Sequence, residues 1–385
     1  MSLLYVDYAA TTPLDERVLE AMMPYLTSVF YNATSSHAGG MQAQGAVIRA
    51  RMDVARHIGA QFDEIVFTAG ATESVNIAIQ GCAAGEHRLA GARRTIVSVR
   101  SEHVAVRDTV ARCAEDGFEI RWLPVDADGR IIMDDAERLI DDGVLFVSVM
   151  LVNNETGVLQ NLPALSALAH RHGALMMTDA TQAYGKIPIN VESMGIDLMA
   201  FSGHKIYGPK GVGALYVRRS AVPLVRPLMV GGGQEGGLRS GTSNVAGIVG
   251  LAAAGNIAHE ALESEAARIW ALRDKFESAM EGLPNVSVNC ARVPRVSTIS
   301  SVTFGNKPAE LLLGSMPDIA CSKGSACSSS KPIPSAVLTA MGRSSEQAEA
   351  TLRFSFGRHT TEADIDRLIH TVTSAIEQTS VSHQS

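Results

Sequence analysis

The sequence predicts an α/β fold: a large domain on a mainly parallel seven-stranded sheet, with a smaller α+β domain beside it. Three observations carry this. Short β-rich runs alternate with helical stretches from about residue 64 to 217, the pattern of a parallel sheet with crossover helices. A different pattern begins near residue 260, a long amphipathic helix followed by short strands and a closing helix. The chain has 385 residues, 46% hydrophobic and 19% charged, enough for two domains with a large core.

The strands of the large domain are EIVFT, TIVSV, EIRWLPV, LFVSVMLV, LMMTDA, LMAFS and ALYV. VRDTVARCAEDG and LPALSALAHRHG read as helices between them, the second closed by Gly173. EALESEAARIWALRDKFESAMEG is the long helix of the second region. VSTISSVTF and LRFSF hold its strands, and DIDRLIHTVTSAIEQT closes it. We assign 16–258 to the large domain, and 1–15 with 259–385 to the small one. The last residues, SVSHQS, are expected to fray, and no internal repeat or low-complexity segment stands out.

Net charge is -7, which argues against direct, high-affinity nucleic-acid binding. No apolar run approaches the roughly 20 residues of a membrane span, and MSLLYVDYAATTP lacks the pattern of a signal peptide. The five cysteines, Cys82, Cys113, Cys290, Cys321 and Cys327, are odd in number and form no CxxC pair. Neither a disulfide framework nor a metal site is expected, and the reducing cytoplasm is the expected home.

Several short motifs fall at predicted strand ends, where an open parallel sheet places its ligands. TAGATESVN follows a strand and opens a helix, so Ala71 and Thr72 can seat a phosphate on exposed amides; the plainer reading is a Thr cap. In MTDATQAYG, Asp179 ends a strand. Burying that carboxylate unpaired would cost several kcal/mol. It caps a turn or meets a cationic partner such as a protonated ring nitrogen. Asn153 and Asn154 in LVNNETGVLQ serve a turn or a ligand, and His103 in RSEHVAV lies at a similar edge. AFSGHKIYGPKGVGALYV sets His204 and Lys205 between two apolar runs, either in an exposed hairpin or where something buried needs an amine. A phosphate seat, an acid for a ring nitrogen and a lysine between strands are together the parts of a pyridoxal phosphate site. The lysine would join the cofactor as a Schiff base, and the cofactor would serve as electron sink.

With YVDYAATTP, GATESVN, SEH, NNETG, DATQAYGK, SGHKIYGPKG, RSGTSN, GSACSSS and LRFSFGR in this order, the chain resembles the NifS/IscS-type cysteine desulfurases, within the fold-type I pyridoxal phosphate enzymes. The resemblance runs from YVDYAATTP to LRFSFGR. It implies that Lys205 carries the cofactor, Asp179 faces its pyridine nitrogen, and His103 stacks on the ring and moves protons. Gln182 and Asn153 would bond the ring, its substituents or the substrate. Ala71, Thr72, Ser202 and His204 would hold the phosphate, with Thr242 reaching the site of a second subunit in a homodimer. Arg353 would clamp the substrate carboxylate, a task suited to a bidentate guanidinium; without the resemblance it reads equally as a surface arginine at a strand edge.

Gly324 and the small residues around Cys327 cannot anchor CSKGSACSSSKP by packing, so Cys327 is expected on a mobile segment. A free thiol has a pKa of about 8.5, so only a few per cent is thiolate at neutral pH unless the site lowers it. Cys321 competes as nucleophile but follows the apolar DIA and reads as packed; the resemblance selects Cys327. The chain departs from the family downstream, with SSSKPIP where many relatives carry Leu-Glu-Pro, which bears on loop length and acceptor contacts. The resemblance implies conversion of L-cysteine to alanine, a persulfide on Cys327, and a sulfur-acceptor protein in iron–sulfur assembly or biomolecule thiolation. The overall look is of a DndA-like member, which supplies sulfur for DNA phosphorothioation. The competing readings are a lyase or transaminase on the same fold, which would not need Cys327, and a non-catalytic scaffold, which would not need Lys205.

Overall fold

The computed structural model describes residues 3–89, 91–305, 307–323 and 334–381. Its centre is a seven-stranded sheet in the order Ile65–Thr68, Gly213–Val217, Leu198–Ser202, Leu175–Asp179, Val144–Ser148, Thr95–Val99, Glu119–Leu123. Pairing is parallel from Leu198–Ser202 through to Glu119–Leu123. Gly213–Val217 runs antiparallel to both its neighbours. The segment 203–212 is therefore the connection of an antiparallel pair at the C-terminal edge of the parallel strands.

Both faces of the sheet are covered, so alternate residues feed two cores. Val66, Ile96, Phe146, Met177 and Ala200 pack with Val75, Ile79 and Val110 of the helices Ala71–Arg88 and Val104–Glu115. Phe67, Val97, Val147, Met176 and Met199 pack on the opposite side with Val54, Ile58 and Leu251 of the helices Ala38–Ile58 and Val245–Glu260. The edge strand Glu119–Leu123 carries Arg121, which pairs with Glu119 and Asp141 at 2.9 and 2.6 Å. Charge of this kind blunts an edge against further pairing.

The expected strand over LFVSVMLV ends at Ser148. Val149 and Leu151 still donate to Met177 and Asp179 carbonyls, but the chain then turns into the cavity. Gly173, at φ +66°, follows the last helical residues and donates to His170 O. The long helix is Leu262–Glu281, set at 71° to Val245–Glu260. A four-stranded antiparallel sheet, Ser322–Lys323, Thr351–Ser355, Ile299–Phe304 and Val286–Val288, packs Phe354 against Phe276 at 4.8 Å. The N-terminal strand Leu4–Tyr5 pairs with Ile319–Ala320, and Leu4 and Val6 join this second cluster. Among the described residues, no single helix is long and apolar enough to cross a membrane.

One backbone approach holds the site edge together. At Gly213 a Cβ would lie 2.5 Å from Phe201 O and 2.7 Å from Gly70 Cα, so only glycine lets the strand pass under the start of the helix Ala71–Arg88. Gly213→Ala is expected to cost about 1–3 kcal/mol, the usual range for overpacking, read as a lower urea midpoint at unchanged m.

Candidate active site

The C-terminal edge of the sheet borders a cavity of about 1110 Å³. Its walls come from far-apart stretches: Ala9, Ala10 and Thr11, the loop and first turn at 69–73, Glu102 to Ala105 with Arg107, Met150, Val152, Asn154 and Glu155, Asp179, Thr181 and Gln182, Ser202, His204 and Lys205, and Arg353. Ala71, Thr72, His103, Asp179, His204 and Lys205, singled out by their places at strand ends, line it, and so do Gln182, Ser202 and Arg353, singled out by the resemblance.

Lys205 lies in a short turn after Leu198–Ser202. Its Nζ donates to the carbonyls of Ala9 and Ala10, both at 2.6 Å. Burial, then the Arg353 charge, lowers the amine to about 8; Asp179 and Asp7 oppose this. The N-terminal strap, residues 6–15, is laced to the same turn. Thr12 N–H and Oγ1 donate to His204 O, Tyr207 N–H donates to Thr12 Oγ1, and Asp15 N–H donates to Tyr207 O. Burial, followed by Lys205, lowers His204 to about 4, so its ring is neutral beside Thr11 Oγ1 at 3.1 Å.

The helix Ala71–Arg88 begins at Gly70, φ +155°, with no side-chain cap. Thr72 is therefore a residue of the first turn, and the Thr cap is not formed. The uncapped amides, the helix dipole and the nearby Ser202 and His204 make an anion seat. His103 caps the helix Val104–Glu115, its Nδ1 accepting from Ala105 N–H at 3.2 Å. The neutral ring then carries its proton on Nε2. Desolvation lowers its pKa, Lys205 and Arg107 add to this, and Asp179 opposes. Asp179 Oδ1 accepts from Thr181 N–H at 2.8 Å.

Asn153 does not line the cavity. Its Oδ1 takes the N–H groups of Glu155 and Thr156 and the Thr156 hydroxyl, and its Nδ2 donates to Ser101 O, so the side chain is spent on its own turn. Asn154 is at the wall, and its Oδ1 is buried without a partner. The doubled asparagine in NNETG was the available signal, and the turn geometry decides between the two. Glu102 was also missed. Burial, with Asp179 adding, holds its carboxyl well above the ordinary range, and Oε1 accepts from Met150 N–H.

Arg353 is buried in a central strand, not on a surface edge. Its Nη1 donates to Asn154 O at 2.8 Å and its Nη2 to Asp7 Oδ1 at 2.9 Å. Asp7 Oδ2 accepts from Ser322 Oγ at 2.7 Å. Thr242 is exposed and outside this cavity. Cys327 lies outside the described residues. Cys321 is partly buried and pushed up to about 12, chiefly by burial; burial raises Cys82 and Cys290 to about 12 and Cys113 to about 11.

These residues fit pyridoxal phosphate. An uncapped helix start suits the phosphate, Asp179 suits a protonated ring nitrogen, and Lys205 is an amine close to neutral. The unpartnered Asn154 Oδ1 and Thr181 Oγ1 await polar contacts.

The chain matches the family model described as Aminotransferase class-V over residues 4–368. It is 45% identical over 363 residues to the cysteine desulfurase IscS of Neisseria meningitidis serogroup C (strain 053442), covering 94% of this chain and 89% of that protein. It is similar to the solved structure of a NifS-like protein, with a TM-score of 0.89, 34% identity and coverage of 98% and 100%. DndA from Streptomyces lividans gives a TM-score of 0.78, 37% identity and coverage of 92% and 99%.

An amine at about 8 becomes neutral as pH rises through that value. The rate at which cofactor-free protein gains visible absorbance with pyridoxal phosphate should therefore climb through about pH 8, and Lys205→Arg should gain none. A rate flat from about pH 6.5 to about pH 9 would contradict the lowered amine.

Proposed function

The chain belongs to the class-V aminotransferase family, and we propose that it is a pyridoxal phosphate-dependent cysteine desulfurase converting L-cysteine to L-alanine and passing the sulfur through Cys327 to an acceptor protein. The observation that carries this is the single cavity joining the Lys205 amine, Asp179 and the Arg353 guanidinium.

When bound, the cofactor supplies an electron sink conjugated to the substrate's α-carbon. Asp179 keeps a ring nitrogen protonated, and the amides of Ala71 and Thr72, with Ser202 and His204, hold the phosphate. Arg353 takes the substrate carboxylate while Asp7 and Asn154 O fix the guanidinium plane. Lys205 Nζ, once neutral, moves the proton at Cα, and His103 Nε2 handles protons at the ring face. The Cys327 thiolate attacks the substrate sulfur. The new S–S bond forms as the Cβ–S bond breaks, and that electron pair stays on carbon, which is protonated to alanine. The thiols of Cys82, Cys113, Cys290 and Cys321 are all held protonated by burial, which supports Cys327 as nucleophile.

The working form is a homodimer. Leu19, Met23 and Leu26 line one exposed face of Glu16–Leu26, and Met41, Ile48 and Met52 one of Ala38–Ile58; Phe30 and Val230 are 72% and 83% exposed. Apolar surface of this extent favours a partner, and exposed Thr242 is available to the partner's phosphate seat. The acceptor belongs to iron–sulfur assembly or to thiolation, DNA phosphorothioation included. With net charge -7, sulfur reaches DNA only through such a protein. A reducing cytoplasm keeps Cys327 usable.

Cys327→Ser should fold, bind cofactor and still change the visible spectrum on adding cysteine, yet release no sulfide with dithiothreitol; Cys321→Ser should remain largely active. Desulfuration surviving in both would transfer the assignment to a lyase. Sedimentation should give twice the 40.8 kDa chain mass. Ile48→Asp should shift the protein toward monomer and lower cofactor content, and a fully active monomer would exclude shared sites.

A further inference from the structure

Lys186, in DATQAYGK, has no role in the reaction described above. It sits four residues after Gln182, and its Nζ donates to Gln182 Oε1 at 2.6 Å. Gln182 Nε2 in turn donates to Ala9 O at 2.8 Å, the carbonyl that also takes Lys205 Nζ. The chain Lys186–Gln182–Ala9–Lys205 is thus continuous. The two lysines also share the wall of a void of about 30 Å³, together with Tyr8, Tyr207, Glu265 and Arg358.

A glutamine amide in isolation can present either end, because oxygen and nitrogen are nearly isosteric. An ammonium has donors only. Lys186 therefore fixes Oε1 on its own side and leaves the Nε2 group on the other, where Gln182 lines the cavity. One N–H meets Ala9 O, and the amide has a second to offer. We propose that Lys186 is a positioning residue: in its charged form it locks the Gln182 amide so that the cavity, and the oxygen substituent of a bound pyridine ring, meets a donor. The proposal rests on the cofactor reading above. Burial, then Lys205 and Arg353, brings the Lys186 amine down to about 7, while Glu265 favours its charged form. Arginine at 186 would keep a donor-only head at every working pH.

The test is a double-mutant cycle on purified dimer, reading pyridoxal phosphate affinity from visible absorbance and, separately, the wavelength of the bound-cofactor band. Lys186→Met should weaken affinity about tenfold, the effect of one lost hydrogen bond, and move the band; Lys186→Arg should restore both. In a Gln182→Ala background, Lys186→Met should cost nothing further. Additive losses, or wild-type affinity in Lys186→Met, would overturn the proposal. If Lys186→Met does not fold, Gln182→Glu decides: it presents only acceptors to the cavity, so it should bind as weakly as Gln182→Ala, and wild-type binding would overturn the lock. Wild-type protein that fails to bind pyridoxal phosphate at all would instead sink the cofactor reading.

Discussion

The architecture turns on one buried amine held by two backbone carbonyls. Lys205 Nζ reaches Ala9 O and Ala10 O, and those carbonyls belong to a strap that never joins the large sheet. The strap starts in the C-terminal cluster, where Leu4–Tyr5 pairs with Ile319–Ala320, and ends against the turn at 204–207. Arg353 comes from the small antiparallel sheet, and most other walls of the site are placed by the strands ending along one edge of the large sheet. The strap closes that edge, removes the amine from water, and so lowers its proton affinity.

The same strap sets the electrostatics around Arg353. Asp7 pairs with Arg353, with side-chain exposures of only 16% and 6%. A buried pair of this kind costs desolvation, and its contribution to stability is small or negative. Its value lies in geometry. The guanidinium is held by Asp7 on one side and by Asn154 O on the other, so the cation at the cavity wall is fixed in place. Asp7 also partly balances the positive charge that would otherwise depress Lys205 further.

Much of this was legible in the sequence. The large sheet follows from apolar runs of strand length alternating with helical periods. The positions of Asp179, Lys205, His103 and Ala71 follow from their places at the ends of those runs. What pattern could not resolve was local. Asn153 and Asn154 are adjacent and alike, and only the turn, which consumes every polar atom of the first, separates them. Thr72 looked like a cap because threonine is a favoured cap residue, yet the helix already begins at Ala71, with Gly70 before it. Arg353 read equally as surface because LRFSF does not tell a central strand from an edge. Lys186 carried no signal of its own, since its meaning depends on a side chain four residues back in the turns after Asp179.

The strap also governs when the protein can begin to work. Ala9 and Lys205 are 196 residues apart, and Asp7 and Arg353 are 346 apart. Contacts of such sequence separation form late, because loop-closure entropy must be overcome first. During synthesis the strap emerges before both Lys205 and Arg353, and waits for each. The lysine's pocket therefore stays incomplete until Arg353 has been made. A chain that stops short of Arg353 is poorly equipped to trap the cofactor, and the amine acquires its altered acidity only when strap, turn and Arg353 have come together.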